Sequence, residues 1–339
     1  MPLVEFTDKG LYCRQGNFYL DPWKPVDYAV ITHAHSDHAR WGSKNYLCHE
    51  QTKPILQLRL GDNVYQTAKW NEPVFINGVS VSFFPAGHII GSAQVRLSYK
   101  DEVWVFTGDF KIEDDGISTP FEPVPCHVFI TESTFGLPVY KWKPQSEIFG
   151  EMTEWVLQNH RNKVTSVLIA YSLGKAQRIL LPLAQTGIPV YGHGAVCNVN
   201  ETLINSGWKL PSIQRITTDT NKTALAGSIV IAPSGAEGSS WMKRFTAYAT
   251  GVCSGWMQVR GNVRRRNPDA AFALSDHADW PGLITAVKAT GAQKVFTTHG
   301  FQSAFSRFLN ENGIESEEVV TAYGAEEEET ITDETNASI

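Results

Sequence analysis

The chain has 339 residues, 42% hydrophobic and 19% charged, with a net charge of −6 at neutral pH. At that length two domains, or one domain carrying a large insertion, are expected, and no apolar run approaches the ~20 residues that would cross a bilayer. The opening "MPLVEFTDKGLYCRQG" lacks the layout of a secretory leader, and five scattered cysteines without a CxxC pair argue against a disulfide framework or thiolate zinc site and suit a reducing cytoplasm.

Taken in order, the first 135 or so residues are rich in strand signals. "VDYAVITHAH", "VSVSFFPAGH", "DEVWVFTGDF" and "CHVFITESTF" each run apolar and β-branched, then stop at a polar or glycine-rich corner. In each, a histidine or carboxylate sits just past the apolar run, where side chains from several strand ends can converge at one edge of a sheet. From about Tyr140 the texture changes. "KPQSEIFGEMTEWVLQNH" has helical spacing, "SVLIAYSLGKAQRILLPLAQTG" reads as strand, glycine turn and helix, and "IPVYGHG" and "GSIVIAPSGA" read as buried strands. Such alternation predicts a parallel α/β unit. After Arg266, "AAFALSDHADW" and "KVFTTHG" return to apolar strands ending in histidine. The expected organisation is one discontinuous domain over 1–140 and 266–325, interrupted by an α/β domain over 141–265. A solvated acidic tail follows at 326–339.

"ITHAHSDHAR" crowds His33, His35, Asp37 and His38 into six positions of a chain that has only ten histidines. In extended chain His33 and His35 point to one side, and the following turn can swing Asp37 and His38 toward a neighbouring point. One stretch can thus serve two adjacent metal ions. Imidazole and carboxylate suit Zn²⁺, Mn²⁺ or Fe²⁺. His88, Asp109 and His299, each at a strand end, are the further ligand candidates.

The pattern HxHxDH, a later His, an Asp and a C-terminal His resembles the metallo-β-lactamase superfamily. That resemblance implies an αββα sandwich with two divalent ions, zinc or manganese, at one edge. It gives one ion to His33, His35 and His88, the other to Asp37, His38 and His299, with Asp109 bridging and Asp21 supporting from behind. Two such ions bring +4; Asp37, Asp109 and a bridging hydroxide would leave about +1, a charge suited to a phosphodiester.

The insertion, with "TEST" at 131–134, "LSDHAD" at 274–279 and "THG" at 298–300, resembles the β-CASP nucleases. By that resemblance Glu132 supports His277, which protonates the leaving oxygen, while Asp37 also accepts the nucleophile's proton. A competing reading of "SDHAD" is a helix start capped by Ser275 or Asp276. "CSGWMQVRGNVRRRNPDAAFALSDHADWPGL" at 253–283 is similar to the bacterial ligase-associated DNA exonuclease branch. The likeness implies a cytoplasmic exodeoxyribonuclease of DNA repair, acting on single-stranded or frayed DNA beside a DNA ligase and a helicase, with no membrane role. The histidine at the last motif departs from the crosslink-repair DNA nucleases and keeps a β-CASP ribonuclease as the alternative. A non-catalytic scaffold and a small-molecule hydrolase rank lower. Phosphate contacts are expected from Lys175 and Arg178 at a strand-to-helix turn, from Lys243 and Arg244, and from the run Arg260, Arg264, Arg265 and Arg266.

Overall fold

In the computed structural model residues 2–319 are described, so the acidic tail at 326–339 lies outside the described residues. They divide into two units, 2–141 with 277–319, and 142–276. The strands in chain order are β1 (Val4–Thr7), β2 (Gly10–Cys13), β3 (Phe18–Leu20), β4 (Tyr28–Ile31), β5 (Asn45–His49) and β6 (Val64–Ala68). There follow β7 (Val74–Ile76), β8 (Val79–Pro85), β9 (Ala93–Tyr99), β10 (Glu102–Phe106) and β11 (Val128–Glu132). The second unit carries β12 (Thr165–Ile169), β13 (Val190–Gly192), β14 (Gln214–Arg215), β15 (Ile229–Ala232), β16 (Tyr248–Cys253) and β17 (Ala270–Phe272). On return the chain adds β18 (Lys294–Thr298) and β19 (Glu315–Glu318).

In the first unit, β1 to β6 form one sheet in sequential order, and a second runs β19-β18-β11-β10-β9-β8-β7. Side-chain alternation decides what each sheet buries. Leu20, Val30, Val81, Phe83, Val95, Leu97, Trp104, Phe106 and Ile130 meet in one core shared by the two sheets. The intervening residues Val105, Phe129 and Val295 face the other way and pack with Leu283, Ala286, Phe305 and Leu309. Those four lie on α1 (Trp280–Thr290) and α2 (Gln302–Glu311). The second sheet is therefore covered on both faces, in keeping with an αββα sandwich. β10, β11 and β18 are mutually parallel, so their C-terminal ends share one edge. β8 runs in the same sense, being antiparallel to β9 as β9 is to β10.

The second unit is a six-stranded sheet, β14-β13-β15-β12-β16-β17, in which every pairing is parallel. Apolar clusters line both its faces, one with Val167, Val230 and Val252, the other with Leu168, Ile229 and Ile231. This explains the unbroken apolar runs of "SVLIA" and "SIVIA". One expectation needs correction. The return was placed at 266, but β17 pairs with β16, so the segment up to 276 belongs to the second unit. Among the described residues no helix is long and apolar enough to cross a membrane.

His49, at the end of β5, is buried and stacked on Trp70 with ring centroids 3.4 Å apart. Burial pushes its pKa down to about 4 from an ordinary 6.5. The unfolded chain therefore binds a proton there that the folded one refuses, and stability falls as pH drops from 6.5 toward 4. Relative to His49→Phe, wild type is expected to lose about 3 kcal/mol over that window in urea unfolding. A difference between the two that does not vary with pH would show that the ring protonates freely in the fold.

Candidate metal centre

The residues singled out in "ITHAHSDHAR" follow β4 directly. His88 follows β8, Asp109 follows β10, Glu132 ends β11 and His299 follows β18. The shared sense of β8, β10, β11 and β18 brings four of these loops to one edge, and the contacts of His33 and His38 with Asp109 set the loop after β4 against them. Two glycines permit the approach. Gly108, before Asp109, has φ +55, and a Cβ there would lie 2.5 Å from Thr32 Oγ1. Gly300, after His299, has φ +64, and its Cβ would meet Thr134 Cα at 2.3 Å.

Two sets of donor atoms result. His33, His35, His88 and Asp109 each place one atom within 4.8 Å of the others, and so do Asp37, His38 and Asp109. In the first set His35 Nδ1 lies 3.2 Å from His33 Nε2 and 3.1 Å from His88 Nε2. Asp109 Oδ2 is 3.4 Å from His33 Nε2 and 3.7 Å from His88 Nε2. Tetrahedral zinc with bonds of 2.0–2.1 Å would separate its ligand atoms by about 3.3–3.4 Å. In the second set His38 Nε2 is 3.3 Å from Asp109 Oδ2 and 3.5 Å from Asp37 Oδ2. This nitrogen is buried and makes no hydrogen bond, an arrangement that costs free energy unless a cation is bound there. Buried imidazole and carboxylate atoms at ligand-to-ligand spacing, with no thiolate among them, fit a divalent ion of the zinc or manganese type. Asp109 Oδ2 is common to both sets.

His299 stacks on His38, ring centroids 5.2 Å apart, and joins neither set of mutually close donors. Asp21 sits behind the cluster at φ +37, a left-handed conformation that an aspartate adopts only at some cost. Its carboxylate accepts from Thr32 N at 2.8 Å, from Thr32 Oγ1 at 2.5 Å and from His38 Nδ1 at 2.7 Å. Those bonds hold the strained backbone and aim the His38 ring.

Glu132 is fully buried and accepts from Phe110 N at 2.8 Å. His277 Nδ1 lies 3.1 and 3.0 Å from its two oxygens, and the His277 ring stands 4.7 Å from that of His88. Glu132, His277 and Asp109 also form a close group. His277 keeps 22% of its side chain exposed, so the pair has a buried carboxylate end and an open imidazole end.

Without metal the charges sort unevenly. Burial would lower the pKa of His38, but the Asp109 and Asp37 carboxylates outweigh it and hold the ring protonated well above its usual range. Burial, reinforced by positive His38, keeps His33 neutral well below that range, and His299 is lowered for the same reasons. Burial would raise Asp109, yet His38 and His277 hold its carboxyl well below the ordinary value; Asp37 is likewise lowered by His38 against burial.

In the second unit the expected phosphate contacts divide. Lys175 and Arg178, on α3 (Lys175–Ala184), are buried. Arg178 donates to Asp276 Oδ1 at 3.0 Å, to Ser275 O at 2.6 Å and to Gln145 Oε1 at 2.9 Å. Lys175 Nζ lies over Tyr171 and 3.7 Å from Asp276 Oδ2. These two cations neutralise Asp276 inside the unit, so their place as surface phosphate contacts is withdrawn. The capping reading also changes: Asp279, not Ser275 or Asp276, caps α1 by accepting from Gly282 N at 2.9 Å, and His277 lies ahead of the helix. Arg260, Arg264, Arg265 and Arg266 lie on α4 (Arg260–Arg266), none of whose residues is buried. Arg266 bonds Glu237 at 3.0 Å. Lys243 is exposed, and Arg244 donates to Trp241 O at 2.7 Å with its guanidinium 5.1 Å from that indole ring. Thr32, Thr298, Phe110 and Asp276 carry contacts that the sequence reading passed over. A threonine directly before His33 and His299 was the available signal for the first two.

A two-sheet sandwich with this donor set at the strand ends defines a domain fitted to hold divalent metal. Residues 19–140 match the metallo-beta-lactamase superfamily, so the chain carries a metallo-beta-lactamase domain; its relatives are consistent with the β-CASP family. It is 31% identical over 322 residues to a "Probable DNA ligase" of Opitutus terrae, covering 92% of this chain and 30% of that protein. It is 26% identical over 196 residues to cleavage and polyadenylation specificity factor subunit 3 of Dictyostelium discoideum, covering 47% of this chain and 25% of that one. The chain thus spans a third or less of the length of these two relatives. In fold it is similar to a protein of unknown function from Enterococcus faecalis V583, with TM-score 0.61 and 12% identity over 88% of this chain and 80% of that one.

Proposed function

We propose that the chain is a metal-dependent DNA exonuclease of the cytoplasm, trimming single-stranded or frayed ends in repair beside a DNA ligase and a helicase. The observation that carries phosphodiester hydrolysis is the meeting of the two donor sets on Asp109 with the Glu132–His277 pair. Two divalent ions, held by His33, His35, His88 and Asp109 and by Asp37, His38, His299 and Asp109, would supply a nucleophile at neutral pH and neutralise phosphate charge. Asp37, partly exposed, is placed to take the nucleophile's proton. His277, its Nδ1 held by Glu132, presents Nε2 to the leaving oxygen and can protonate it. The exposed cations Lys243, Arg260, Arg264 and Arg265, with the half-buried Arg244 and Arg266 beside them in sequence, supply phosphate contacts.

DNA is preferred over RNA because most of this chain aligns inside a protein named as a DNA ligase. The cleavage and polyadenylation relative favours RNA as the second reading. The test is digestion of 5′- and 3′-labelled single strands of matched DNA and RNA sequence with zinc or manganese, against a chelator control. Progressive shortening of DNA from one end, stopped by chelation, is expected; faster cutting of RNA would overturn the choice of substrate. Turnover of a thioester or lactone with neither nucleic acid cut would make the protein a small-molecule hydrolase instead.

A further inference from the structure

A neutral histidine offers a metal only the ring nitrogen that carries no hydrogen, so a donor set needs each ring in one tautomer. Several histidines of this chain have theirs set by a backbone N–H, which can only donate. His49, His127 and His193 accept at Nδ1 from Gln51 N, Val103 N and Ala195 N, so in each the hydrogen is on Nε2. His33 and His299 are held the other way, and in both the agent is the threonine immediately before them.

Thr32 Oγ1 is 2.5 Å from Asp21 Oδ2. A carboxylate only accepts, so the hydroxyl hydrogen is committed to it. The same oxygen lies 3.0 Å from His33 Nδ1 and has only lone pairs left to offer, so the hydrogen of that contact belongs to Nδ1. At the far side of the site the logic repeats with a different acceptor. Thr298 Oγ1 donates to Thr131 O at 3.2 Å and stands 3.0 Å from His299 Nδ1, so with its hydrogen on Thr131 it accepts from that ring nitrogen. Both threonines are buried, so water cannot offer a substitute acceptor.

We propose that Thr32 and Thr298 are paired positioning residues whose anchored hydroxyls lock His33 and His299 in the Nδ1–H tautomer and leave Nε2 as the metal-facing lone pair. The proposal rests on the reading of the centre as a metal site and not on its substrate. It also separates His33 from His35. His35 enters the first donor set through Nδ1, so its hydrogen is on Nε2.

The test reads the ring nitrogens directly. Long-range ¹H–¹⁵N spectra of the full-length, histidine-labelled protein, stripped of metal at pH 8, are expected to show Nδ1–H at His33 and His299 and Nε2–H at His35. Finding Nε2–H at His33 or His299 in wild type overturns the proposal, whether or not any variant folds. Zinc titration against a competing chelator supplies the second readout. Thr32→Val and Thr298→Val are expected to bind zinc about 10- to 100-fold more weakly, and Thr32→Ser and Thr298→Ser to remain within a few-fold of wild type. Folded valine variants with wild-type zinc affinity would also overturn it. Nuclease activity enters neither readout, so a protein that binds zinc as expected but cuts no DNA would sink the proposed function and leave this proposal standing.

Discussion

Asp109→Ala is expected to lose bound metal and nucleic-acid cleavage together. The carboxylate oxygen Oδ2 lies within 3.7 Å of His33, His38 and His88 alike. Without it each donor set is short of a ligand, and four imidazoles face one another with only Asp21 and Asp37 beside His38 to compensate. His38, kept protonated chiefly by Asp109 against burial, would titrate closer to its ordinary range. Metal-ion catalysis contributes several kcal/mol, so at ~1.4 kcal/mol per tenfold the rate should fall by at least ~10³. Elemental analysis of the purified variant and digestion of labelled DNA check both halves. An Asp109→Ala protein that retains two metal equivalents and full activity would refute the site.

His277→Ala should behave differently, keeping its metal while losing roughly 10²- to 10⁴-fold in rate, the range typical of a lost general acid. His277 stands at the open end of the Glu132 pair and belongs neither to the set of His33, His35, His88 and Asp109 nor to that of Asp37, His38 and Asp109. If it protonates the leaving oxygen, a substrate that needs no proton should be spared. A p-nitrophenyl phosphodiester, whose leaving group departs as a stable anion, should be hydrolysed by the variant with a much smaller deficit than DNA. An equal loss on both substrates would mean that the ring serves another purpose. Glu132→Gln should follow His277→Ala in direction, because the buried carboxylate also secures Phe110 N beside Asp109.

The metal centre was readable in the sequence because chelation demands particular residue types at strand ends. "ITHAHSDH", "PAGH", "FTGD" and "TTHG" each show an apolar run broken by a ligand type. What escaped depended on information that no local pattern holds. Three residues of "AAF" do not say which sheet they will join, and only the pairing with β16 places them in the second unit. Lys175 and Arg178 read as surface cations because their partner, Asp276, lies 98 positions from Arg178 in the chain. Asp279 was passed over as the cap because three polar residues precede it within five positions, and chain geometry chose among them. The threonines before His33 and His299 looked like ordinary strand residues until their hydroxyl partners, Asp21 and Thr131, were seen beside them.

The pairing of β18 with β11 bears on when the site can form during synthesis. Thr298 reaches Thr131 across 167 positions, and the whole second unit is synthesised between them. A ribosome-bound polypeptide that has not yet emitted β18 can display the early histidines, but it lacks His299 and the strand that pairs with β11. Non-local strand pairing of this kind forms late. The site is therefore closed only in molecules whose synthesis has passed β18 and whose β18 has paired with β11.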